Sequence, residues 1–198
     1  MLTNEFLDRK VDFRKEVNGR ARLLYTPTDR LTADLRGAYS DFRSGLSYYV
    51  ALPDGMANNS SIPIQADRLG KGYRKLGDVS LKIDYELGGG KLTSITAYSK
   101  VHEFFYEDLD WTPVSILELS QDLRVRSISQ ELRYTSDSSK RLRYIAGAYF
   151  LGTHRDLDTQ LYINFGAGPA PIAPTQERNK NRAWAGFGQL ALVCLGKT

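Results

Sequence analysis

Metal-binding side chains are scarce in this sequence. Cys194 is the single cysteine, and His102 and His154 are the two histidines. One cysteine excludes a disulfide within the chain and any metal site built from several thiolates. The two histidines lie far apart, so a histidine-based site would need carboxylate partners that the spacing does not reveal. The sequence therefore predicts no bound metal and no cofactor.

Long hydrophobic runs are also missing. The longest mainly apolar stretches are residues 144–151 and 190–195, whereas a helix needs about 20 apolar residues to cross a bilayer. Met1 is followed by LTNEFLDRKVDF, which lacks the apolar stretch of about 7 to 15 residues found in a signal peptide. We expect no membrane-spanning helix and no signal peptide in this chain.

The sequence has no basic stripe. Its net charge is +4, but the lysines and arginines are dispersed among acids, as in residues 8–16. Nucleic-acid binding requires basic residues clustered on one face, often interleaved with aromatics. We therefore predict an ordinary solvated surface and no nucleic-acid partner.

Catalytic signatures are absent as well. The tetrapeptide HRDL at 154–157 matches the start of the kinase catalytic loop, but that pattern needs asparagine where this chain has Leu161. A glycine-rich loop and a strand lysine in a V-A-I-K setting are also missing. No nucleophile stands beside a base, and no acid and base are recognisably paired. We predict that the protein is not an enzyme.

What the sequence does contain is alternation at a period of two, which indicates strands. Residues 79–86 set Val79, Leu81, Ile83 and Tyr85 against Ser80, Lys82, Asp84 and Glu86. The same pattern predicts strands at 20–26, 31–40 and 127–135, and less regular strands at 92–104, 142–153 and 181–192. In residues 92–104 the apolar face is either 92, 94, 96 and 98 or 93, 95, 97 and 99, and the pattern does not choose.

Short turns and long insertions alternate between these strands. The turns Pro27–Arg30, Gly88–Lys91 and Ser136–Arg141 have proline, glycine, aspartate or serine, and the insertions are 41–78, 105–124 and 154–180. This arrangement is typical of an outer-membrane barrel with strands of about 9 to 11 residues. We therefore predict an all-β fold: an antiparallel meander of about seven strands from a transmembrane β-barrel, with short periplasmic turns and long extracellular loops.

Tyrosines of the predicted apolar face flank each turn, namely Tyr25, Tyr85, Tyr134 and Tyr144. An aromatic girdle at the periplasmic membrane interface would place them there. Cross-strand packing in a soluble sheet is the alternative.

Several segments resemble one family. SQELR at 129–133, followed by a polar turn and RLRYIAGAYFL at 141–151, resembles a barrel hairpin of TonB-dependent outer-membrane receptors, especially those of sphingomonad-type proteobacteria. Residues 23–41, 92–99 and 183–191 are similar to other barrel segments in family order, so the resemblance covers about residues 18 to 191.

The resemblance implies a receptor with a barrel of about 22 strands and an N-terminal plug. It would import a scarce ligand, such as a ferric siderophore, with energy from the TonB system. Its partners would be outer-membrane lipid, the TonB complex through the plug, and the ligand. We expect residues 1–198 to be a partial barrel domain without the plug and the remaining strands, and 193–198 to be an aberrant tail of a truncated or frameshifted product.

A fragment of this kind should not transport anything alone, because an open sheet in lipid leaves unpaired edge groups. We expect a curved, open sheet with its apolar face uncovered and its loops gathered at one end. Alternatively, the chain is a soluble β-rich binding module, such as one for carbohydrate, or a non-functional truncated product.

Receptors of this type bind ligand with their loops, and the loop aromatics and carboxylates are the candidates here. Aromatic rings could stack on a sugar or siderophore, while carboxylates could meet cations or hydroxyls; a plain solvated loop is the alternative. The candidates are Tyr48, Tyr49, Tyr106, Glu107, Asp108, Asp110 and Trp111. HRDL at 154–157 would mark the point where a strand ends and enters an extracellular loop.

Overall fold

A computed structural model describes residues 2–46, 49–52 and 61–192. Two short strands, β1 (Thr3–Asn4) and β2 (Arg9–Lys10), precede seven long ones. The long strands are β3 (Arg14–Thr28), β4 (Leu31–Gly45), β5 (Lys71–Leu87), β6 (Gly90–Asp108), β7 (Leu117–Ser136), β8 (Leu142–Ile163) and β10 (Thr175–Leu192), with the short β9 (Ala170–Pro171) before the last. The described ranges contain no helix long and apolar enough to cross a membrane.

The long strands form one antiparallel meander. Their order in the sheet is β3-β4-β5-β6-β7-β8-β10, and the short β9 adds an eighth strand by pairing with β8. The predicted all-β meander is therefore confirmed. The three short turns lie together at one end of the sheet, which we call the turn end, and the longer connections lie at the other, the loop end.

The strands extend beyond the predicted limits at the loop end. Strand β4 continues to Gly45, β6 continues to Asp108 and β7 begins at Leu117, so the insertions 41–78 and 105–124 are partly strand. The strand boundary predicted at Thr153 is wrong, because β8 runs to Ile163 and HRDL lies inside it, paired with both β7 and β10. A strand is held by its backbone ladder and by cross-strand pairs of any polarity, so it continues after the apolar alternation stops.

The register settles which face of β6 is apolar. Leu92 lies opposite both Tyr85 of β5 and Tyr134 of β7, and Tyr98 lies opposite Val79 and Ile128. Since side chains at opposed positions share a face, residues 92, 94, 96 and 98 lie on the apolar face. Within the turn-end half of the sheet, each of the seven long strands places apolar side chains on this face, although Ile145 and Leu151 of β8 and Phe187 of β10 lie on the other face.

This apolar face is uncovered. Leu23 is 63% exposed and Trp184 is 78% exposed, and in the described part of the chain the buried hydrophobic residues are Val11, Ile64 and Ala66. Those three belong to the segments at the loop end. Every described residue of the two outermost long strands, β3 and β10, is exposed. The described residues therefore form a small packed core at the loop end and none over the apolar face of the sheet.

Candidate functional site at the loop end

Three segments pack together at the loop end. The side-chain Nδ2 of Asn4 donates to the backbone oxygen of Ala66 at 2.7 Å, and the amide of Glu5 donates to the oxygen of Ile64 at 2.8 Å. Asn4 is fully buried. These bonds fix the N-terminal hairpin against residues 61–70, which in turn lie against the connection 109–116.

Asp108 joins two of these segments. It ends β6 and is fully buried. Its Oδ1 accepts from the amides of Asp110 and Trp111 at 2.9 and 3.0 Å, and its Oδ2 accepts from the amide of Asp67 at 3.2 Å. Burial raises the pKa of Asp108 to about 6, although the backbone amides favour the charged form. The carboxylate holds loop backbone in place.

Asp110 closes the connection 109–116. Its Oδ1 accepts from the amide of Thr112 at 3.1 Å, and its Oδ2 accepts from the amides of Ile116 and Leu117 at 3.1 and 2.8 Å. Burial opposes ionisation here, but the hydroxyl of Thr112 and these amides lower the pKa of Asp110. This carboxylate also organises the loop.

The carboxylate of Glu118 accepts hydrogen bonds from a tyrosine and an arginine. It lies opposite Asp108 in the register and is 4% exposed. The hydroxyl of Tyr106 donates to its Oε2, and Nε of Arg68 donates to its Oε1 at 3.1 Å. Because strand side chains alternate, Glu107 lies on the opposite face of β6 from Tyr106 and Asp108. The structure therefore places the candidates Tyr106 and Asp108 on one face of β6 and the candidate Glu107 on the other.

Two loop aromatics form a pair. The rings of Tyr49 and Trp111 lie 5.6 Å apart at 42°, although the residues belong to different connections. Trp111 has a φ of 53°, in the left-handed region that a bulky residue adopts only when its surroundings fix it. Tyr49 is exposed, while Tyr48 lies outside the described residues. The pair offers an aromatic surface at the loop end.

Sequence reasoning missed a charged network on the continuation of the apolar face. Asp122 of β7 binds His102 Nε2 at 3.2 Å and Arg124 Nε at 3.0 Å, and Asp156 of β8 binds His154 Nε2 at 3.0 Å. A signal was present in the sequence. From Leu119 to Val125 the odd positions are largely apolar while the even positions are polar or charged, so the alternation continues with its polarity reversed.

Cations on the opposite, polar face are mostly paired. Asp34 accepts from both Arg22 and Arg36, at 2.9 and 2.6 Å. Lys82 forms an ion pair with Asp84, with Nζ 2.7 Å from Oδ2. Neighbouring acids therefore compensate much of the positive charge on this face. Across residues 2–46, 49–52 and 61–192, no group of three or more His, Cys, Asp or Glu side chains could hold a metal ion.

The sequence matches no protein-family model. Among solved structures, the fold is similar to that of the ferric yersiniabactin uptake receptor FyuA from Yersinia pestis, with a TM-score of 0.66 and 14% identity. The match covers 96% of this chain and 37% of the receptor, so the chain spans little more than a third of that protein. At this identity the likeness shows the fold, which is that of a β-barrel fragment.

Proposed function

We propose that the chain is part of the barrel of a TonB-dependent outer-membrane receptor, possessing the lipid-facing wall and part of the ligand-binding loops. The complete receptor would import a scarce ligand of the ferric siderophore class with energy from the TonB system. The proposal includes the resemblance of the sequence to the TonB-dependent receptors of sphingomonad-type proteobacteria.

The uncovered apolar face is the observation that carries the proposal. Leu23, Leu35 and Leu81 lie side by side on β3, β4 and β5, and Ile128, Leu132 and Leu190 continue the face on later strands; all six are exposed. A water-soluble protein rarely leaves so continuous an apolar patch exposed. In a bilayer the same surface contacts acyl chains, while the backbone groups between the long strands are paired as lipid requires.

The loop end is the part that we propose contacts ligand. Tyr49 and Trp111 supply aromatic surface, and Tyr106 adds a hydroxyl held by Glu118. Asp108 and Asp110 keep the loop in shape, because backbone amides already occupy their oxygens. Tyr48 and Glu107 remain candidates by their position in the sequence. The uptake of ferric yersiniabactin by FyuA supports a ferric siderophore as the ligand class.

Expression of residues 1–198 with and without detergent tests the proposal. We expect the chain to require detergent and to float with phospholipid vesicles in a density gradient, because its apolar face needs a lipid environment. A monodisperse monomer that melts cooperatively in plain buffer would refute the proposal and support the soluble binding module, which carbohydrate titration would then examine.

A further inference from the structure

Asp108 connects two loop-end segments to the aromatic pair of Tyr49 and Trp111. Its Oδ1 accepts from the backbone amide of Trp111 at 3.0 Å, and its Oδ2 accepts from the amide of Asp67 at 3.2 Å. The ring of Trp111 lies 5.6 Å from the ring of Tyr49. Asp108 is fully buried, and it fixes the backbone from which one ring of the pair projects.

The position of Trp111 is costly to maintain. Its φ of 53° is unfavourable for a bulky side chain. Its indole Nε1 is buried and finds no hydrogen-bond partner among the described residues, and the same is true of Oδ1 of Asp67. A buried polar group without a partner destabilises the arrangement that buries it. The aromatic pair therefore stays in place only while the bonds to Asp108 outweigh these costs.

The surroundings of Asp108 are rich in acids. The titratable groups that meet here are Asp108 and Tyr106 of β6, Asp110 of the connection 109–116, Asp67 and Arg68 of the segment 61–70, and Glu118 of β7. The N-terminal hairpin reaches this cluster through the uncharged Asn4. Arg68 lies 3.1 Å from Glu118 and 3.6 Å from Asp67, so its charge compensates those two acids. An ionised Asp108 is therefore repelled by its neighbours.

A proton on Asp108 relieves this repulsion. Burial, and then the charges of Asp110 and Asp67, raise the pKa of Asp108 to about 6. A proton on Oδ2 also places a donor beside Asp67, whose Oδ1 lacks one, while Oδ1 of Asp108 still accepts from the amides of Asp110 and Trp111. Because the pKa is raised in the closed arrangement, this arrangement is most favoured below about pH 4 and weakens as pH rises through 6.

We propose that Asp108 is a proton-controlled latch on the Tyr49–Trp111 pair. With the proton bound, the latch is closed: the connection 109–116 is held against the segment 61–70, and the two rings lie together. When the proton leaves, the charge on Asp108 loosens the connection and Trp111 leaves its left-handed conformation. This inference rests on the proposed function in one respect, namely that the pair contacts ligand. The latch then sets the pH range in which this aromatic surface is formed.

Fluorescence of Trp111 in the detergent-solubilised chain tests the latch. The sequence contains Trp111 and Trp184, so Trp184→Phe leaves one indole and keeps an aromatic ring beside Phe150. We expect acrylamide to quench Trp111 weakly at pH 4 and strongly at pH 8, with the change occurring as pH rises through 6. A pKa raised from 3.8 to about 6 corresponds to a shift of roughly 100-fold in the equilibrium between closed and open forms.

Asp108→Asn distinguishes a proton-controlled latch from a plain structural role. An amide has an oxygen that accepts from Trp111 and hydrogens that can be donated towards Asp67, as the protonated carboxyl has. This variant should therefore show weak quenching at both pH values, whereas Asp108→Ala lacks both groups and should show strong quenching at both. Glu103→Gln is the matched control and should retain the wild-type profile, because Glu103 lies on the opposite face of β6.

Three results would overturn the latch. Strong quenching of Asp108→Asn at both pH values would make Asp108 a structural acceptor only. A pH dependence that persists in this variant would assign the proton to another group, and a wild-type profile that is flat between pH 4 and 8 would remove the switch altogether.

The latch and the proposed function fail separately. The quenching measurement uses neither vesicles nor ligand, so its outcome does not depend on the barrel proposal. A soluble, cooperatively melting monomer in plain buffer would refute the barrel proposal, and the same pH titration in that buffer would still decide the latch.

Discussion

The two halves of β7 have opposite polarity. In the turn-end half, Ile128, Leu132 and Tyr134 lie on one face and Glu131 and Arg133 on the other. In the loop-end half the faces exchange: Leu119, Leu123 and Val125 share a face with Glu131 and Arg133, and Glu118, Asp122 and Arg124 continue the face of Ile128. The strand is unbroken through the exchange.

The change of polarity along β7 bears on the medium that surrounds the sheet. A strand packed on one core keeps its apolar residues at one parity along its length, because a slip of one residue would turn all of them to the other face. Here the polarity changes although the register is continuous. On the neighbouring strands, basic side chains first appear on the apolar face in the same row, at Lys100 and His154. If the chain lies in a bilayer as proposed, the boundary between lipid and water accounts for this common row.

The largest predicted effect comes from placing a charge on the turn-end half of the apolar face. Leu81→Arg should destabilise the chain in vesicles by about 2 to 4 kcal/mol, because an arginine at the bilayer midplane is poorly solvated. Guanidinium unfolding from vesicles measures the difference. Ser80→Arg, on the opposite face of the same strand, is the control, and equal destabilisation by both would contradict the assignment of faces.

The packed core of the loop end should be sensitive to added volume. A Cβ on Gly45 would lie 1.8 Å from the backbone oxygen of Val11, so Gly45→Ala must displace the N-terminal hairpin, at a cost of about 1 to 3 kcal/mol. Hydrogen exchange at Gly45, whose amide donates to Phe13, reports the displacement. Gly77→Ala is the control and should leave hydrogen exchange unchanged, because a Cβ at Gly77 would meet nothing within 4 Å. Unchanged exchange of the Gly45 amide in Gly45→Ala would argue against this packing.

The loop end should also respond to pH. The pKa of Asp108 is raised by burial from 3.8 to about 6, so the folded state holds its proton more tightly than the unfolded state does. Its contribution is therefore full below pH 4 and falls as pH rises through 6, by about 1 to 2 kcal/mol of local stability.

Hydrogen exchange of the amides of Asp110 and Trp111, corrected for intrinsic rates at pH 4.5 and 7, measures this loss. Asp108→Asn removes the titrating group and should flatten the profile. Glu177, exposed on β10, provides the control in Glu177→Gln, which should retain the wild-type profile. A pH dependence that survives in Asp108→Asn would assign it to another group.

The smallest predicted effect concerns polar residues on the apolar face. Gln130 accepts from Thr96 at 2.5 Å and donates to Ser94 at 2.9 Å, so the three satisfy one another. Gln130→Ala should cost about 0.6 kcal/mol in vesicles, the typical strength of a side-chain hydrogen bond in lipid. Ser129→Ala, on the other face, is the comparison in guanidinium unfolding. A loss of several kcal/mol of unfolding free energy in Gln130→Ala would contradict this account, in which Gln130 only satisfies the hydrogen bonds of Thr96 and Ser94.

Local features of the fold could be predicted from sequence. The turn at 136–141 has local signals in its serine, aspartate and lysine content, and the alternation at 79–86 fixes a strand and its apolar face. The face of residues 92–104 could not be chosen, because Leu92 and Ile95 favour opposite parities and only pairing with β5 and β7 decides. The loop-end strand segments were predicted as loops because residues such as Asp122 and Arg124 replace apolar side chains without ending the strand.

The candidate site was less accessible to sequence reasoning. Asn4 reaches Ala66 across 62 positions, and Asp67 reaches Asp108 across 41, so no local pattern reports these contacts. Residues 104–113, which the sequence singles out by their aromatic and acidic composition, lie at the loop end of the sheet. Their composition could not show that backbone amides occupy the oxygens of Asp108 and Asp110.

Cysteine scanning along β7 tests the central claim most directly. In a Cys194→Ser background, single cysteines at positions 118 to 135 would carry a polarity-sensitive fluorophore in vesicles that contain a lipid-bound quencher. The account predicts strong quenching at 128, 130, 132 and 134, weak quenching at 127, 129, 131 and 133, and weak quenching at every position from 118 to 125. Alternating quenching that continues to Leu119 with unchanged parity, or no alternation at all, would contradict it.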